Sequence, residues 1–299
     1  MKQRNKQKRI LLLTAMLMFA FAFFRFNTID AQAASKYTIY VNRKTNLVNV
    51  TDSRTGKLVK AMYCSTGKNY RTISGTYNTT AKYKWRALIH GVYGQYSTRI
   101  HGPYLFHSVP YYSVNKSKVS TKEYNKLGVQ ASAGCIRLAV TDAKWIYDNC
   151  RIGTKVVIGE SRTLKKPARP KVKVSTKRKA WWDPTDPDTR NPYRPKLTLK
   201  KKGKRTIAYG STFDIKDVLK VSSPYASASA SALLETLSVK GSVNTKKAGT
   251  YKVSCTITDP YTAVSVTKTF KFKVGKKPVN TTTEEKVPEK DSTQIKTQK

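Results

Sequence analysis

The stretch from residue 99 to residue 138 holds the side chains best suited to covalent chemistry. It contains His101 within Ile-His-Gly-Pro, His107 within Phe-His-Ser-Val-Pro-Tyr, and Cys135 within Ser-Ala-Gly-Cys-Ile-Arg-Leu. A thiol needs a nearby base to ionise at neutral pH, and imidazole suits that task. Gly134 lets the backbone turn sharply, so that its N–H and that of Cys135 can point at an attacked carbonyl oxygen. These residues are compatible with cysteine acyl transfer.

Two of the other three cysteines are predicted to have structural rather than chemical roles, and the role of Cys64 stays open. The wide spacing of Cys64, Cys135, Cys150 and Cys255 shows neither a zinc pattern nor a small disulfide framework. Cys150 shares one face of a predicted helix with apolar residues, and Cys255 alternates with apolar residues along a predicted strand, so both are expected to be buried. Cys64 ends a strand-like segment, and its pairing state stays open.

The reactive residues lie in a region whose pattern predicts mainly strands. Residues 36–66 read as three short strands, residues 75–77 begin another, and residues 85–112 are rich in aromatic and β-branched residues. Ser120 and Glu123 form a capping box at the start of a helix. A second helix is expected over 142–150 after Thr141 as its cap, with a strand over 154–158. Residues 35–160 are therefore predicted to form one mainly β domain with short helices.

The composition changes after residue 160. Nine Lys or Arg and no acidic residue lie between 162 and 179, and prolines recur up to 195, so a basic, partly extended linker is predicted over 161–195. Alternation returns over 196–275 and predicts a small β-sandwich, with the Ser- and Ala-rich stretch 222–232 as a loop within it. The polar tail, 276–299, is expected to be disordered.

The N-terminal sequence and the net charge indicate the compartment in which the protein acts and the class of partner that it binds. A basic head precedes an apolar run over residues 10–24, which is shorter than the roughly 20 residues that span a bilayer. Ala31-Gln32-Ala33 offers a cleavage site, so residues 1–34 are predicted to be a signal peptide, with a retained membrane anchor as the alternative. The net charge of +41 predicts attraction to a polyanion. Because the chain is expected to be exported, anionic wall polymers are favoured over nucleic acid.

The motifs around His107 and Cys135 resemble those of the L,D-transpeptidase family with the YkuD-like catalytic domain. That family joins a histidine, often in a His-Ser pair, to a downstream Ser/Thr-x-Gly-Cys-x-Arg/Asn motif, and both occur here in order. Ser-Thr-Gly at 65–67 and Ser-Gly-Thr-Tyr at 74–77 are also similar to family elements. The resemblance covers about 35–160. The departures are Ala133 where many relatives have His or Lys, a long separation from 107 to 135, and a missing proline near Gly75.

The resemblance implies a fold and a reaction. The expected fold class is mainly β, a YkuD-like β-sandwich catalytic domain with short helices plus a smaller immunoglobulin-like β-sandwich. The expected enzyme forms peptidoglycan cross-links: His107 takes the Cys135 proton, the Ser108 carbonyl orients the imidazole, and the Gly134 and Cys135 N–H groups hold the oxyanion. The donor is a stem tetrapeptide that releases D-alanine, an amine of a second stem accepts the acyl group, and hydrolysis is the competing reaction. No metal or cofactor is expected, and the location is the wall or the outer face of the membrane.

The resemblance also suggests residues that contact the substrate. Arg137 either pairs with a substrate carboxylate or braces its loop, and Ser132 belongs to the same motif. His101 is an alternative base close to the site, although His107 matches more of the family pattern. Tyr111 and its neighbour Tyr112 either line the cleft or pack inside. A structural role was expected for the remaining histidine, His90.

The C-terminal region resembles bacterial immunoglobulin-like modules. Tyr-Gly-Ser-Thr-Phe at 209–213 and Lys-Ala-Gly-Thr-Tyr at 247–251 look like the recurring elements of these modules. A role as a spacer or in wall binding is implied. Two rival functions for the whole chain are a wall-binding protein with an idle site, and a nucleic-acid binder suggested only by charge.

Overall fold

The computed structural model describes residues 35–200, 205–224 and 228–278. Over these ranges none of the helices has both the length and the apolarity to cross a membrane, and the predicted signal segment and tail lie outside them, apart from 276–278 at the start of the tail. The described chain forms two compact units. The first comprises 35–110, 126–138 and 142–167; the second comprises 111–125, 139–141 and the described residues from 168 onward.

The elements up to residue 159 follow the predicted order of strands and short helices. Their bounds are β1 (Tyr37–Asn42), β2 (Leu47–Asp52), β3 (Leu58–Ser65), β4 (Gly75–Asn78), β5 (Ala81–Leu88), β6 (Val92–His101), β7 (Tyr104–Ser108), β8 (Val119–Ser120), α1 (Thr121–Tyr124), β9 (Ile136–Leu138), α2 (Val140–Asn149) and β10 (Lys155–Gly159). Helix α2 begins before Thr141, the residue expected to cap it.

One nine-stranded mixed sheet organises the first unit. Its strand order is β4-β10-β1-β2-β3-β9-β7-β6-β5. The pairs β1–β10 and β7–β9 are parallel, and the other neighbours are antiparallel. The register of the parallel pair β7–β9 sets His107 opposite Arg137. This pairing brings the two sequence motifs, which are far apart in the chain, onto adjacent strands.

The central strands of this sheet are covered by side chains on both faces. Strands β1 and β2 are buried on both faces, since one face packs on further apolar side chains such as the Trp145 ring, whose centroid lies 5.4 Å from that of Tyr37. Helix α2 and the residue after it bury Ala143, Ile146 and Cys150, as their common face predicted. Each fully buried large aliphatic side chain stabilises the fold by about 1.5–3 kcal/mol.

The capping box at Ser120 starts a helix of only one turn. The Ser120 Oγ accepts from the Glu123 N–H at 3.3 Å, which satisfies one backbone donor at the start of the helix. Helix α1 ends at Tyr124, and the chain soon reaches Gly128 in a left-handed conformation with φ of 93°. Glycine adopts that conformation readily.

The C-terminal part of the second unit is the predicted small sandwich. Strand β11 (Ala180–Trp181) precedes it and pairs with β8. The elements of the sandwich are β12 (Lys196–Leu199), β13 (Thr206–Ile207), α3 (Ile215–Val218), β14 (Leu219–Ser222), α4 (Ala230–Glu235), β15 (Ser238–Lys240), β16 (Gly249–Thr258) and β17 (Ser265–Val274). A two-stranded sheet, β12-β14, and a four-stranded sheet, β13-β17-β16-β15, contribute to one apolar core that includes Cys255, as expected. The mainly β class is thus confirmed.

The Ser- and Ala-rich stretch is not entirely a loop, which corrects the expectation for 222–232. Residues 221–222 still belong to β14, and α4 begins at Ala230. The Ser229 Oγ accepts from the Ala232 N–H at 3.1 Å. Serine is favoured at this capping position, and alanine is the strongest helix former, so the composition that was read as a loop supports a short helix at its end.

The segment over 168–195 has almost no regular structure but buries polar side chains. Asp183, Thr185, Asp186 and Asn191 are at most 3% exposed. Asp183, Asp186 and Asn191 each accept from the backbone N–H two residues ahead. The prolines keep this segment out of helices and sheets, and these local hydrogen bonds fix its backbone instead. Polar side chains can therefore be buried here because their hydrogen bonds are satisfied. The domain boundaries given from the sequence remain predictions.

Candidate active site

A cavity of about 550 Å³ lies in the first unit and is lined by both Cys135 and His107. His107 is on β7, and Cys135 immediately precedes the neighbouring strand β9. The β5–β6 hairpin and the turn into β7 supply further walls. The cavity volume falls in the range typical of small-molecule sites, so a thiol and an imidazole share one space able to admit a substrate.

His107 is held in one orientation and one tautomer. Its side chain is buried, and Nδ1 lies 2.5 Å from the Ser108 carbonyl oxygen. A carbonyl only accepts, so Nδ1 carries the proton and Nε2 has a free lone pair. Burial, with a smaller contribution from the Arg137 charge, lowers the pKa of His107 to about 4. The imidazole is therefore neutral at pH 7 and able to take up a proton.

Cys135 carries its proton on sulfur before a substrate arrives. Burial raises the pKa of the thiol, and the Leu105 N–H and the charges of Arg137 and Arg99 oppose that rise only in part. The sulfur lies 3.6 Å from the Pro103 carbonyl oxygen, to which the thiol can donate. The resting pair is thus a neutral thiol and a neutral imidazole, and the ion pair must form during attack.

Three hydrogen bonds fix the loop before Cys135. The Ser132 Oγ donates to the Cys135 carbonyl oxygen at 2.6 Å and accepts from the Gly134 N–H at 3.0 Å. The Thr72 Oγ1 donates to the Gly134 carbonyl oxygen at 2.6 Å. Gly134 has φ of 154°, which side chains rarely adopt. The Gly134 N–H expected to hold an oxyanion is therefore already engaged by Ser132.

Two glycines leave no room for side chains beside the reacting groups. A Cβ on Gly94 would lie 2.9 Å from the His107 Cβ and 3.0 Å from its Nδ1. A Cβ on Gly134 would lie 3.0 Å from Cε1 of Tyr104. Next to Gly94, the Gln95 N–H donates to the Ser108 Oγ at 2.8 Å. Strand β6 thus supports His107 from one side through close backbone packing.

Most of the residues predicted from the sequence meet at this cavity. Ser132, Gly134, Cys135, His107 and Arg137 all line it. The Arg137 guanidinium also donates from Nη1 to the Ala131 carbonyl oxygen at 3.1 Å. This contact supports the bracing role, while the position in the wall keeps a substrate contact open.

Two predicted substrate residues lie elsewhere. His101 is exposed, does not line the cavity, and places its ring centroid 5.1 Å from that of Tyr77. Tyr111 is fully buried, which matches the packing alternative and corrects its assignment to the cleft. Its neighbour Tyr112 is 39% exposed. The alternative base His101 is therefore less well placed than His107.

The sequence did not single out the wall formed by the β5–β6 hairpin. Arg86, Arg99 and His90 line the cavity there, and the structural role expected for His90 stays a prediction. His90 is exposed and has φ of 64° in the turn of the hairpin. With Arg137 the cavity wall carries three arginines and no Asp or Glu. The sequence signal that could have predicted Arg86, Arg99 and His90 is their position in a β-hairpin directly before the histidine motif.

The described ranges contain no group of His, Cys, Asp or Glu side chains placed to hold a metal ion. All four cysteines are free, and Cys64, Cys150 and Cys255 are buried. Burial raises the pKa of the Cys150 thiol to about 12 and that of Cys64 still further. Cys135 is therefore the cysteine that a substrate can reach.

Comparison with known proteins gives matches of limited length. The chain is 53% identical over 62 residues to a Bacillus subtilis (strain 168) protein provisionally assigned as the L,D-transpeptidase YciB, which covers 21% of this chain and 31% of that relative. A solved fused Zn-dependent amidase/peptidase/peptidoglycan-binding domain-containing protein from Clostridium acetobutylicum is 32% identical, with 41% of this chain and 51% of that chain covered and a TM-score of 0.33. An L,D-transpeptidase from Mycobacterium smegmatis is 21% identical, with 42% and 58% covered and a TM-score of 0.35. The chain thus spans less than two thirds of each of these relatives.

Family models match both folded regions. Residues 36–158 match the YkuD family, described as the L,D-transpeptidase catalytic domain. Residues 201–284 match the bacterial Ig-like domain of group 3. These ranges agree with the two resemblances seen in the motifs. Residues 36–158 are therefore similar to an L,D-transpeptidase catalytic domain, and residues 201–284 are similar to a bacterial immunoglobulin-like domain.

Proposed function

We propose that this chain is a cysteine L,D-transpeptidase that cross-links peptidoglycan stem peptides through a thioester on Cys135. The observation that carries the proposal is the shared cavity of Cys135 and His107, in which Nδ1 of the imidazole is bonded to the Ser108 carbonyl and Nε2 is left as the base. A nucleophile, a base and an orienting group are the minimum for covalent acyl transfer.

The first half-reaction is acylation of the thiol. His107 Nε2 takes the Cys135 proton as the sulfur attacks the carbonyl carbon between the third residue and the D-alanine of a stem tetrapeptide. The Cys135 N–H stabilises the oxyanion, and the Gly134 N–H joins it if it turns from Ser132. The C–N bond then breaks, the imidazolium protonates the departing amine, and D-alanine leaves a thioester behind.

The second half-reaction transfers the acyl group. An amine of a neighbouring stem, on its diamino acid, attacks the thioester carbonyl and gives its proton to His107. The C–S bond breaks, the sulfur recovers a proton, and an amide cross-link has formed. Water in place of the amine gives an L,D-carboxypeptidase product, which the burial of the site disfavours.

The cavity wall suits a donor that carries carboxylates. Arg86, Arg99 and Arg137 face a space without an acidic side chain, and guanidinium groups bind carboxylates in a two-pronged geometry. A stem tetrapeptide ends in a carboxylate, so the wall complements its charge. The same function implies an exported protein at the wall, with anionic wall polymers as further partners and the membrane contacted only through the N-terminal segment.

Mass spectrometry of the full chain with a stem tetrapeptide donor tests the proposal. We expect one acyl adduct on Cys135 and release of one D-alanine, followed by a cross-linked dimer when an acceptor amine is added. Cys135→Ser should abolish the adduct. Unchanged D-alanine release by Cys135→Ser would show that the chemistry lies elsewhere and that the proposal of a thioester on Cys135 is wrong.

A pair of histidine variants distinguishes the two candidate bases. His107→Gln should lower the acylation rate by at least about a hundredfold, the usual contribution of a general base. His101→Gln is the matched control and should retain nearly full activity because it does not line the cavity. The reverse result would make His101 the base.

A further inference from the structure

The outer face of the four-stranded sheet in the immunoglobulin-like domain has an unusual composition. Strands β13, β15, β16 and β17 contain no Asp or Glu. Their apolar side chains alternate into the core, among them Phe270 and Phe272. The opposite face therefore presents only hydroxyl groups and ammonium groups, a combination that the sandwich does not need for folding.

Hydroxyl groups occupy one end of this face in paired rows. Three pairs across β16 and β17 lie within hydrogen-bonding distance, at 2.5 Å, 2.8 Å and 2.8 Å: Ser254 with Thr269, Thr256 with Thr267, and Thr258 with Ser265. Successive rows are about 7 Å apart along a strand. Each hydroxyl keeps acceptor or donor capacity for a ligand after it has bonded its neighbour.

Lysines occupy the other end, and their arrangement is unfavourable for the free protein. Lys252 and Lys271 are directly opposite in the register of β16 and β17. Lys273 lies two residues beyond Lys271, and Lys240 is opposite Ser254 in the adjacent row. Among the residues that the structure describes, none of these four ammonium groups has an acidic partner. Like charges directly opposite each other destabilise a sheet, so the cluster calls for an anion.

We infer that this face, which we call the lysine–hydroxyl face (Thr206, Ser238, Lys240, Thr250, Lys252, Ser254, Thr256, Thr258, Ser265, Thr267, Thr269, Lys271 and Lys273), binds a linear polyol-phosphate polymer. The lysines neutralise the phosphodiesters, and the rows of Ser and Thr hydroxyls bond the polyol hydroxyls. The rows follow one another along the strands, so an extended polymer can contact several rows at once.

The chemistry of the face favours a polyol phosphate over a nucleic acid. Single-stranded nucleic acids are bound through aromatic side chains on which bases stack, whereas the aromatic residues of these strands point inward or lie at an edge, with Phe272 fully buried. The face instead offers partners for hydroxyl groups, which a polyol supplies at every repeat. No catalytic residue takes part, so this inference can fail while the transferase proposal stands, and the reverse.

Binding of the full chain to poly(glycerol phosphate) over a range of salt concentrations tests the inference. We expect Lys252→Gln/Lys271→Gln to bind about tenfold more weakly and to flatten the dependence of log affinity on log salt by about 1.5, because two fewer phosphates are neutralised and fewer counterions are released. The same variant should unfold at a higher temperature than the wild type, since the repulsion is gone. Lys216→Gln/Lys220→Gln removes the same charge from exposed positions of this domain outside the face and should bind as the wild type does.

A second variant tests the hydroxyl rows without changing charge. Thr256→Val/Thr267→Val should weaken binding to poly(glycerol phosphate) severalfold and leave binding to inorganic polyphosphate unchanged. If both lysine double variants lost the same affinity, or if the Thr→Val double variant bound as the wild type does, binding would depend only on the overall positive charge of the domain. Either result would overturn the proposal. Duplex DNA that binds as tightly at equal phosphate concentration would also overturn it.

Discussion

Burial determines where the proton of the Cys135–His107 pair resides. The same low-polarity surroundings raise the pKa of the thiol and lower that of the imidazole to about 4, because each charged form loses its hydration. Arg137 lowers both pKa values, and so it favours the thiolate and disfavours the imidazolium. The pair is consequently poised for concerted proton transfer during attack rather than for a standing ion pair.

The acylation rate should fall only at a pH far below the usual pKa range of histidine. With the pKa of His107 at about 4, we expect the rate of Cys135 acylation to hold down to about pH 5 and to fall as the pH drops through about 4. The measurement is the pH dependence of adduct formation by mass spectrometry. An acid limb near the unperturbed value of about 6.5 would contradict a buried neutral imidazole.

The same shift makes a stability prediction. The folded-state pKa of His107 is depressed, so its contribution to stability is present above the unfolded value and is lost as the pH falls toward about 4. The linked free energy is on the order of 3 kcal/mol. His107→Gln should therefore show a smaller loss of unfolding temperature than the wild type between neutral pH and about pH 4.

Gly94 is expected to position His107 by leaving space for it. Gly94→Ala places a methyl group within 3.0 Å of the ring, so the imidazole must shift, and misplacement of a catalytic group by about 1 Å can cost a hundredfold in rate. Acylation of Cys135 should fall by at least about tenfold. Gly159→Ala, where an added Cβ meets nothing within 4 Å, is the matched control; equal rates in the two variants would remove Gly94 from the site.

The turn after β3 supports the nucleophile loop through one hydroxyl. Thr72 is 1% exposed, and its Oγ1 accepts from the Gly67 N–H at 2.7 Å while donating to the Gly134 carbonyl at 2.6 Å. Two backbone groups from distant parts of the chain are thereby satisfied at once. The conformation of Gly134 depends on this bond as well as on Ser132.

Thr72→Val tests the role of the hydroxyl group separately from the volume of the side chain. The change keeps the shape but leaves the Gly67 N–H and the Gly134 carbonyl without their partner, at a cost of about 2 kcal/mol in the free energy of unfolding. We expect a matching loss in denaturant unfolding and slower acylation of Cys135. Thr72→Ser retains the hydroxyl and should recover most of the activity; failure to recover would assign the effect to packing instead.

At the scale of the whole molecule, the high positive charge of the chain does not prevent a basic segment from being ordered. The net charge is +41, yet the basic, proline-containing segment over 168–195 is held by hydrogen bonds of carboxylates and amides as well as by the buried Val174 and Trp182 side chains. Asp183 is central, since it accepts from the Val140 N–H at 2.9 Å and from the Thr185 N–H and Oγ1 at 2.7 Å. This bonding lies entirely within the second unit.

Asp183→Ala should unfold that part of the structure more readily. The change leaves buried N–H donors of Val140 and Thr185 without acceptors, which costs about 3 kcal/mol. Thermal unfolding of the full chain should begin at a lower temperature. Asp217→Ala removes an exposed carboxylate from the same unit and should change the onset little; a similar loss in both variants would argue that net charge, not hydrogen bonding, sets the stability.

Much of the fold and the centre of the site could be predicted because their signals are local. Runs of β-forming residues separated by turns marked β1 to β3, a period of two marked β16 and β17, and the residues flanking Cys135 and His107 carry a recognisable motif. Arg86, Arg99 and His90 were missed because their chemistry depends on where the β5–β6 hairpin lies, which no neighbouring residue encodes. Tyr111 shows the converse error, since an aromatic residue beside a motif can face either the cleft or the core.

The amino-acid sequence was sufficient to predict a nucleophile and a base and to recognise both domain types and the excess of positive charge, because each depends on residue identity and short-range pattern. The parallel register of β7 and β9, the neutral state of the reacting pair and the order within 168–195 required the folded chain. Their physical causes are long-range strand pairing, burial from water and hydrogen bonds between distant segments, and these arise only when the chain has closed on itself.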